Sequence, residues 1–201
     1  MNIMLGGHNL DDVFRLLDGR LMLAGAPPVH LVVCGGAAMI ATGLLRRTTR
    51  DVDIVAMLDD GGRRLVAPVP LPDYLVKAAG EVSEVLGLPT EWLNNGPSRD
   101  AGGLFQMGLP EGLQARLHSR EYGTRLTVWF IDRLDQVHFK LYAAVDRGGY
   151  HVADLDALRP TVEELRQAAR WALTHDVSEE FRGLLKETLR GLGYGDVADT
   201  I

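Results

Sequence analysis

Apolar and polar residues alternate along this chain with periods that predict both helices and strands. Between residues 9 and 25, apolar residues recur at the spacing of a helix with one buried face. The segment His30–Cys34 is instead a short apolar run, rich in β-branched residues, that stops at a pair of glycines. This pattern predicts a buried strand followed by a turn. A second strand is predicted to begin at Asp51.

The later elements follow the same two periods. A helix is predicted from Asp73 to Leu88, with an inward-facing set of apolar residues: Leu75, Val76, Ala79, Val82, Val85 and Leu86. Residues 89–112 have no clear period and contain five glycines and three prolines, so they are expected to form a long loop that either borders a substrate cleft or covers the surface. A hairpin is predicted over residues 113–132, a helix over 134–147, and two further helices begin at Thr161 and Ser178.

This order of elements predicts an α/β (α+β) fold in which a mixed sheet is flanked by helices. The core is expected to span residues 1–133, and a helical C-terminal part packed on that core is expected to span residues 134–201. A length of 201 residues is sufficient for a core with a small helical appendage.

Composition and charge narrow the function classes without selecting one. Hydrophobic residues make up 46% of the chain and charged residues 24%, which is ordinary for a globular protein. The net charge of −6 argues against bulk electrostatic attachment to nucleic acid. A single cysteine excludes an intramolecular disulfide, and neither a secretory signal nor a membrane span is recognisable. A cytoplasmic location without membrane attachment is therefore expected.

Two aspartates at the start of the second strand carry the first chemical signal. Asp51 and Asp53 are two residues apart, so in an extended chain they project from one face with their Cα atoms about 6 to 7 Å apart. At an effective dielectric constant near 20 and a gap of about 5 Å, two such charges repel by roughly 3 kcal/mol. Mg²⁺, or Mn²⁺ in its place, suits such a pair when substrate phosphates share the ion. Gly35 and Gly36 would let backbone N–H groups approach those phosphates.

Several arginines lie close to this pair of aspartates in the sequence. Arg46, Arg47 and Arg50 lie beside the carboxylates in sequence, and Arg63 and Arg64 follow a glycine turn. They are expected either to hold the phosphates of a nucleotide or an acceptor, or to form ion pairs with neighbouring aspartates on a solvated surface.

The stretch from Gly35 to Asp53 resembles the nucleotidyltransferase superfamily of polymerase-β-like fold. The residues that carry this resemblance are Gly35, Gly36, Gly43, Arg47, Thr49, Asp51 and Asp53. The pattern is most similar to that of the minimal nucleotidyltransferases of the AbiEii toxin group. The resemblance implies that Asp51 and Asp53 are catalytic metal ligands, that Gly35 and Gly36 hold the triphosphate, and that Arg47 and Thr49 orient the loop or contact phosphate.

The resemblance extends, with a weaker pattern, to residues 134–158. Here Lys140 stands in a KLxA pattern, followed by Arg147 and by Asp154. The resemblance implies that Lys140 holds triphosphate oxygens and that Asp154 is a third acidic group that activates the acceptor hydroxyl. A structural alternative for Lys140 is a helix lysine that extends to solvent. Asp132 is either a third metal ligand or a cap for the helix that follows it.

The function implied is transfer of a nucleoside monophosphate from an NTP to a hydroxyl of an RNA or protein acceptor. Some relatives of this kind suggest transfer RNA as the acceptor, others a protein side chain and more distant ones an antibiotic. A toxin inhibited by an antitoxin protein is the same activity with a biological role attached. The alternative is a protein of nucleotidyltransferase fold that binds nucleotide or a regulatory partner without turnover.

Overall fold

The computed structural model describes residues 4–59 and 61–201 of an α+β protein in which helices flank a mixed sheet. The chain divides into two compact units, one up to Ile131 and one from Asp132 to Ile201. The division lies two residues from the boundary expected from the sequence. All strands of the described residues belong to the first unit, and the second unit is helical.

The strands form one sheet in the order β3-β2-β1-β6-β5, and β4 pairs with β2 outside this path. Their bounds are β1 Val29–Cys34, β2 Val52–Leu58, β3 Leu65–Val66, β4 Leu93–Asn94, β5 His118–Glu121 and β6 Leu126–Phe130. The predicted hairpin is confirmed, because β5 and β6 pair in antiparallel orientation. Strand β1 runs antiparallel to β2 and parallel to β6, which makes the sheet mixed.

A β-bulge interrupts the pairing between β1 and β2. The partners on either side of it are, in order, Val32 with Ala56, Val33 with Ile54, and Cys34 with Asp53. Val55 is therefore an extra residue of β2 with no partner on β1. After the bulge, Asp53 lies on the same face as Cys34, and Ile54 lies on the same face as Val33.

The described residues of the first unit form four α-helices, and the first and third of them pack on the face of the sheet that carries Val33 and Ile54. Their bounds are α1 Leu10–Leu23, α2 Gly35–Ala41, α3 Asp73–Leu86 and α4 Leu104–Met107. Helix α1 packs against α3, and the core that they form with the sheet includes Val33, Ile54 and the fully buried Trp92. The prediction that Val76 and Val85 face inward is wrong, since both are more than half exposed.

The segment predicted as a long loop is more ordered than expected. It contains β4, a 3₁₀ turn at Gly96–Ser98 and α4. The buried Ser98 hydroxyl donates a hydrogen bond to the Val55 carbonyl at 2.8 Å, and the Gln106 amide donates to the Ser98 carbonyl at 2.8 Å. These bonds fix the segment to β2, so it cannot be treated as a free surface loop.

The second unit consists of α5 Arg133–Arg147, α6 Tyr150–Ala157, α7 Val162–His175, α8 Glu179–Gly191 and α9 Gly195–Ala198. Three of these helices, α5, α7 and α8, begin after a residue whose side chain accepts a hydrogen bond from a free N–H group of the first turn. Thr161 and Glu164 form the predicted capping box at α7, and the Ser178 hydroxyl accepts a hydrogen bond from the Phe181 amide at α8. No helix of the described residues has the length and apolar character needed to cross a membrane.

Candidate functional site

Asp51 and Asp53 lie at the beginning of β2, and both are partly exposed. Asp53 is the second residue of β2, and Asp51 is the residue that precedes the strand. The strand places them on the face opposite to Val52 and Ile54, which belong to the core under α1 and α3. The predicted pairing of two carboxylates on one face therefore agrees with the strand register.

The glycine pair packs directly against these acidic residues. Gly35 has φ +65°, a conformation that favours glycine, and a Cβ atom there would lie 3.0 Å from Asp53 Oδ2. A Cβ atom on Gly36 would lie 3.2 Å from Thr49 Oγ1 and 3.4 Å from Arg47 Nη2. The structure thus brings together five residues that were predicted from separate positions in the motif: Gly35, Gly36, Arg47, Thr49 and Asp53.

Thr49 positions Asp51. Its backbone N–H and carbonyl are both hydrogen-bonded to Leu5, each at 2.8 Å, and the residue is buried. Its hydroxyl donates a hydrogen bond to Asp51 Oδ1 at 3.0 Å. Because both backbone hydrogen bonds hold Thr49 in place, its hydroxyl fixes Oδ1 of Asp51 and thereby the orientation of the whole carboxylate.

The other flank of the carboxylate pair is formed by β4. Asp53 pairs with Asn94 of β4 in parallel register, while on the opposite side it pairs with Cys34 of β1. Beside Asp51 an open cleft of about 500 Å³ is lined by Arg50, Asp51, Pro89, Glu91, Asn94, Gly96 and Arg99. From the sequence, residues 89–112 are expected either to border a cleft or to cover the surface, and no pattern singles out Asn94 or Arg99.

Arg63 and Arg64, which follow Gly61 and Gly62, do not line this cleft. Backbone N–H groups of Arg63 and Arg64 donate hydrogen bonds to Asp59 Oδ1 at 2.9 and 3.2 Å, and these bonds lower the pKa of the Asp59 carboxyl. Arg64 Nε lies 3.8 Å from Asp59 Oδ2. For this turn, the expected alternative of local pairing with an aspartate is the one that the structure shows.

In the second unit, Lys140 and Asp154 pair with each other. Lys140 Nζ donates a hydrogen bond to Asp154 Oδ2 at 2.7 Å, and the two side chains are 5% and 4% exposed. The ammonium group also lies 5.7 Å from the centre of the Tyr150 ring. Lys140 is therefore not a helix lysine that extends to solvent. The roles of Lys140 and Asp154 with a nucleotide remain predictions.

Asp132 begins helix α5. Its Oδ1 accepts a hydrogen bond from the Leu134 amide at 2.9 Å, which is the geometry of an N-cap. Of the two expectations for Asp132, the cap is thus observed, while its role as a metal ligand remains a prediction.

The donor set at the start of β2 suits a hard divalent cation. Asp51 and Asp53 are both partly exposed, and Mg²⁺ takes carboxylate oxygens while keeping several waters or phosphate oxygens as its other ligands. Among the described residues, no group of three or more His, Cys, Asp and Glu side chains is placed to hold a metal ion. The role of Asp51 and Asp53 as metal ligands therefore remains a prediction.

Comparison of this chain with protein-family models, with curated proteins and with solved structures finds no match.

Proposed function

We propose that this protein is a metal-dependent nucleotidyltransferase of polymerase-β-like fold, with its nearest likeness in the AbiEii toxin group. It would transfer a nucleoside monophosphate from an NTP to a hydroxyl of an RNA acceptor, such as a transfer RNA, or of a protein acceptor. The observation that carries the proposal is the partly exposed pair Asp51 and Asp53, with Gly35 set directly against Asp53 and Gly36 against Thr49 and Arg47. A toxin paired with an antitoxin protein in the cytoplasm is the biological setting that the proposed likeness suggests.

The carboxylate pair supports a metal because its own repulsion must be offset. At an effective dielectric constant of 20 and about 5 Å, that repulsion amounts to roughly 3 kcal/mol. A Mg²⁺ or Mn²⁺ ion held by Asp51 and Asp53 would supply Lewis-acid stabilisation of the charge that develops on the transferred phosphoryl group. Thr49 supports this role because its hydroxyl keeps Asp51 in one orientation.

The glycine flank supports binding of the triphosphate. A Cβ atom at Gly35 or Gly36 would lie 3.0 Å from Asp53 Oδ2 or 3.2 Å from Thr49 Oγ1, closer than a side chain ordinarily approaches, so glycine at both positions lets the start of α2 lie against these residues. Arg47 Nη2 lies within 3.4 Å of the position that a Gly36 Cβ would take, which puts a guanidinium beside this approach. A guanidinium recognises phosphate oxygens through paired N–H donors.

Lys140 and Asp154 have a conditional place in the proposal. For Lys140 to hold triphosphate oxygens, its ammonium must exchange Asp154 for phosphate, since the two side chains are paired in this structure. The exchange would release the Asp154 carboxylate to accept the proton of the attacking hydroxyl. Asp132 would serve as a third metal ligand only if its cap on α5 were given up or shared.

Label transfer tests the proposal. Purified protein is incubated with Mg²⁺, each of the four α-labelled NTPs and cell RNA or cell protein, and the label retained in each fraction is measured. Label is expected in RNA or protein for the wild type and not for Asp53→Asn, because the amide removes a charged ligand. Asp73→Asn, the same change at an exposed residue of α3, is the control that should retain transfer. Transfer at the wild-type rate by Asp53→Asn would refute the metal assignment.

A second candidate is a nucleotidyltransferase-like protein that binds nucleotide or a partner without turnover. It is favoured by one observation, the buried pairing of Lys140 with Asp154, which commits two expected site residues to each other. Calorimetric binding of an NTP, without label in RNA, protein or a small-molecule fraction, would support this candidate over the enzyme.

A further inference from the structure

The two sides of Asp53 differ in the groups that they offer. On the β1 side, Gly35 lies against Asp53, and Arg47 lies beside Gly36. On the β4 side, Asp53 pairs with Asn94, and the 500 Å³ cleft beside Asp51 opens there. A transfer reaction has two substrates that must meet at the carboxylates, and this site has two flanks from which they can approach.

The cleft on the β4 side carries two arginines. Arg50 is exposed and forms no ion pair with any residue that the structure describes. Arg99 lies 3.8 Å from Glu91, and the two side chains are 49% and 77% exposed. An exposed pair at that distance contributes little to stability, so a phosphate can displace Glu91 from Arg99 at small cost. Arg99 Nε also donates a long hydrogen bond, 3.4 Å, to Asn95 Oδ1, so an anion would bind Arg99 through its terminal N–H groups and Arg50 through its whole guanidinium.

Neutral polar groups in the cleft suit the sugar or base that accompanies a phosphate. Asn94 Oδ1 accepts a hydrogen bond from the Gly96 backbone amide at 2.7 Å, which fixes the orientation of the Asn94 side-chain amide. Its NH₂ group donates one long bond, 3.4 Å, to the Glu91 carbonyl, and an amide NH₂ has two protons to donate. Pro89 and Gly96 add no charged group, and a volume of about 500 Å³ admits one nucleotide unit.

We infer that the cleft on the β4 side is the acceptor subsite and that Arg50 and Arg99 hold a phosphate of the acceptor. The acceptor class is thus a phosphate-bearing chain, the 3′ end of a nucleic acid strand, rather than a protein side chain. This inference rests on the proposed function, because it assigns the second substrate of the same reaction. Arg47 then belongs to the NTP flank and Arg50 to the acceptor flank, although they are only three positions apart.

Binding of a fluorescent single-stranded RNA oligonucleotide, measured by anisotropy without NTP, tests the subsite separately from turnover. The variant is Arg50→Ala/Arg99→Ala. The control is Arg15→Ala/Arg64→Ala, which removes the same charge from two exposed arginines outside the cleft. Affinity of the cleft variant is expected to fall by roughly tenfold to a hundredfold, and its dependence on salt should weaken by about one phosphate contact per arginine. The control variant should change affinity less than about threefold.

Competition identifies the source of the phosphate. Inorganic phosphate and ribose 5-phosphate are added against the labelled oligonucleotide, and the oligonucleotide is expected to bind far more tightly than either. Equal competition by ribose 5-phosphate would mean that a small phosphorylated molecule is the acceptor, and this would overturn the nucleic acid assignment. Equal loss of RNA affinity in the cleft and control variants would overturn the role of Arg50 and Arg99.

Transfer kinetics separate the failure of this inference from failure of the proposed function. If the wild type transfers label, the cleft variant is expected to raise KM for the RNA acceptor at least tenfold, with KM for the NTP changed much less. Label transferred to protein, with no RNA binding, would leave the enzyme standing and refute the acceptor subsite. RNA binding that depends on Arg50 and Arg99, without any transfer, would refute the enzyme while retaining the subsite.

Discussion

Replacing Lys140 with methionine tests the most deeply buried ion pair in the described chain. The Nζ–Oδ2 distance of 2.7 Å corresponds to an attraction of about 6 kcal/mol at an effective dielectric constant of 20. Desolvation of both groups offsets much of this attraction, so the intact pair contributes little net stability. Removing only the lysine leaves the Asp154 carboxylate buried without its cation, and breaking a buried pair in this way costs roughly 3 to 5 kcal/mol.

Urea unfolding at pH 7, followed by circular dichroism, measures this cost. With a slope of about 2 kcal/mol per molar urea, a loss of 4 kcal/mol lowers the midpoint by about 2 M. The double variant Lys140→Met/Asp154→Asn removes the stranded charge and is expected to be more stable than Lys140→Met. Lys186→Met is the matched control in the same unit, since Lys186 forms no ion pair among the described residues, and it should shift the midpoint by less than about 0.3 M.

Two outcomes would refute this reasoning. A loss below about 1 kcal/mol for Lys140→Met would mean that water or another group compensates Asp154. A double variant no more stable than the single one would mean that the cost comes from lost packing of the lysine side chain and not from the charge.

Two further predictions concern the glycine flank and helix α7. Gly35→Ala is expected to lower the free energy of unfolding by about 1 to 2 kcal/mol, because φ at this position is +65° and the new Cβ would lie 3.0 Å from Asp53 Oδ2. Thermal melting measures this loss, and an unchanged melting temperature would contradict the prediction. The hydrogen bonds that Arg133 donates to Glu164, at 2.6 and 3.0 Å, lower the pKa of the Glu164 carboxyl from its ordinary value of 4.5. The stability that the ionised carboxylate contributes to the folded state is therefore complete above pH 4.5 and is lost as the pH falls through the lowered pKa. Glu164→Gln should therefore be less stable than the wild type by about 1 to 2 kcal/mol at pH 7 and nearly as stable as the wild type near pH 2. Urea unfolding at the two pH values measures the difference, and a loss of stability that does not depend on pH would contradict the charge argument.

The sequence predicted those elements whose signal is local. The apolar run of β1 ends at a glycine pair, and the capping box at Thr161 marks the start of α7, so both could be recognised without tertiary information. In α3, the apolar residues cover more than one face of the helix. Periodicity alone could not show that Val76 and Val85 face solvent, because it is the packing of α3 on α1 that selects the buried stripe.

Features that depend on distant partners could not be predicted. Strand β4 has only two residues and exists because Val52 and Asp53 offer it an edge, and Ser98 finds its partner in Val55, 43 positions earlier. The cleft beside Asp51 depends on that pairing, so no local pattern announced it. Lys140 and Asp154 likewise lie on two different helices, 14 positions apart, whereas the pairs that a single helix predicts are three or four positions apart.

The bulge at Val55 determines on which side of the sheet Asp53 lies. If β2 alternated regularly through Val55 instead of bulging there, Asp53 would lie on the face shared by Leu31 and Met57, which packs under α1 and α3. The carboxylate would then be enclosed in an apolar layer, where its charge would cost several kcal/mol. The bulge thus shifts the alternation of β2 by one residue, and straightening it would turn Asp53 toward the core without changing a single residue of the sequence.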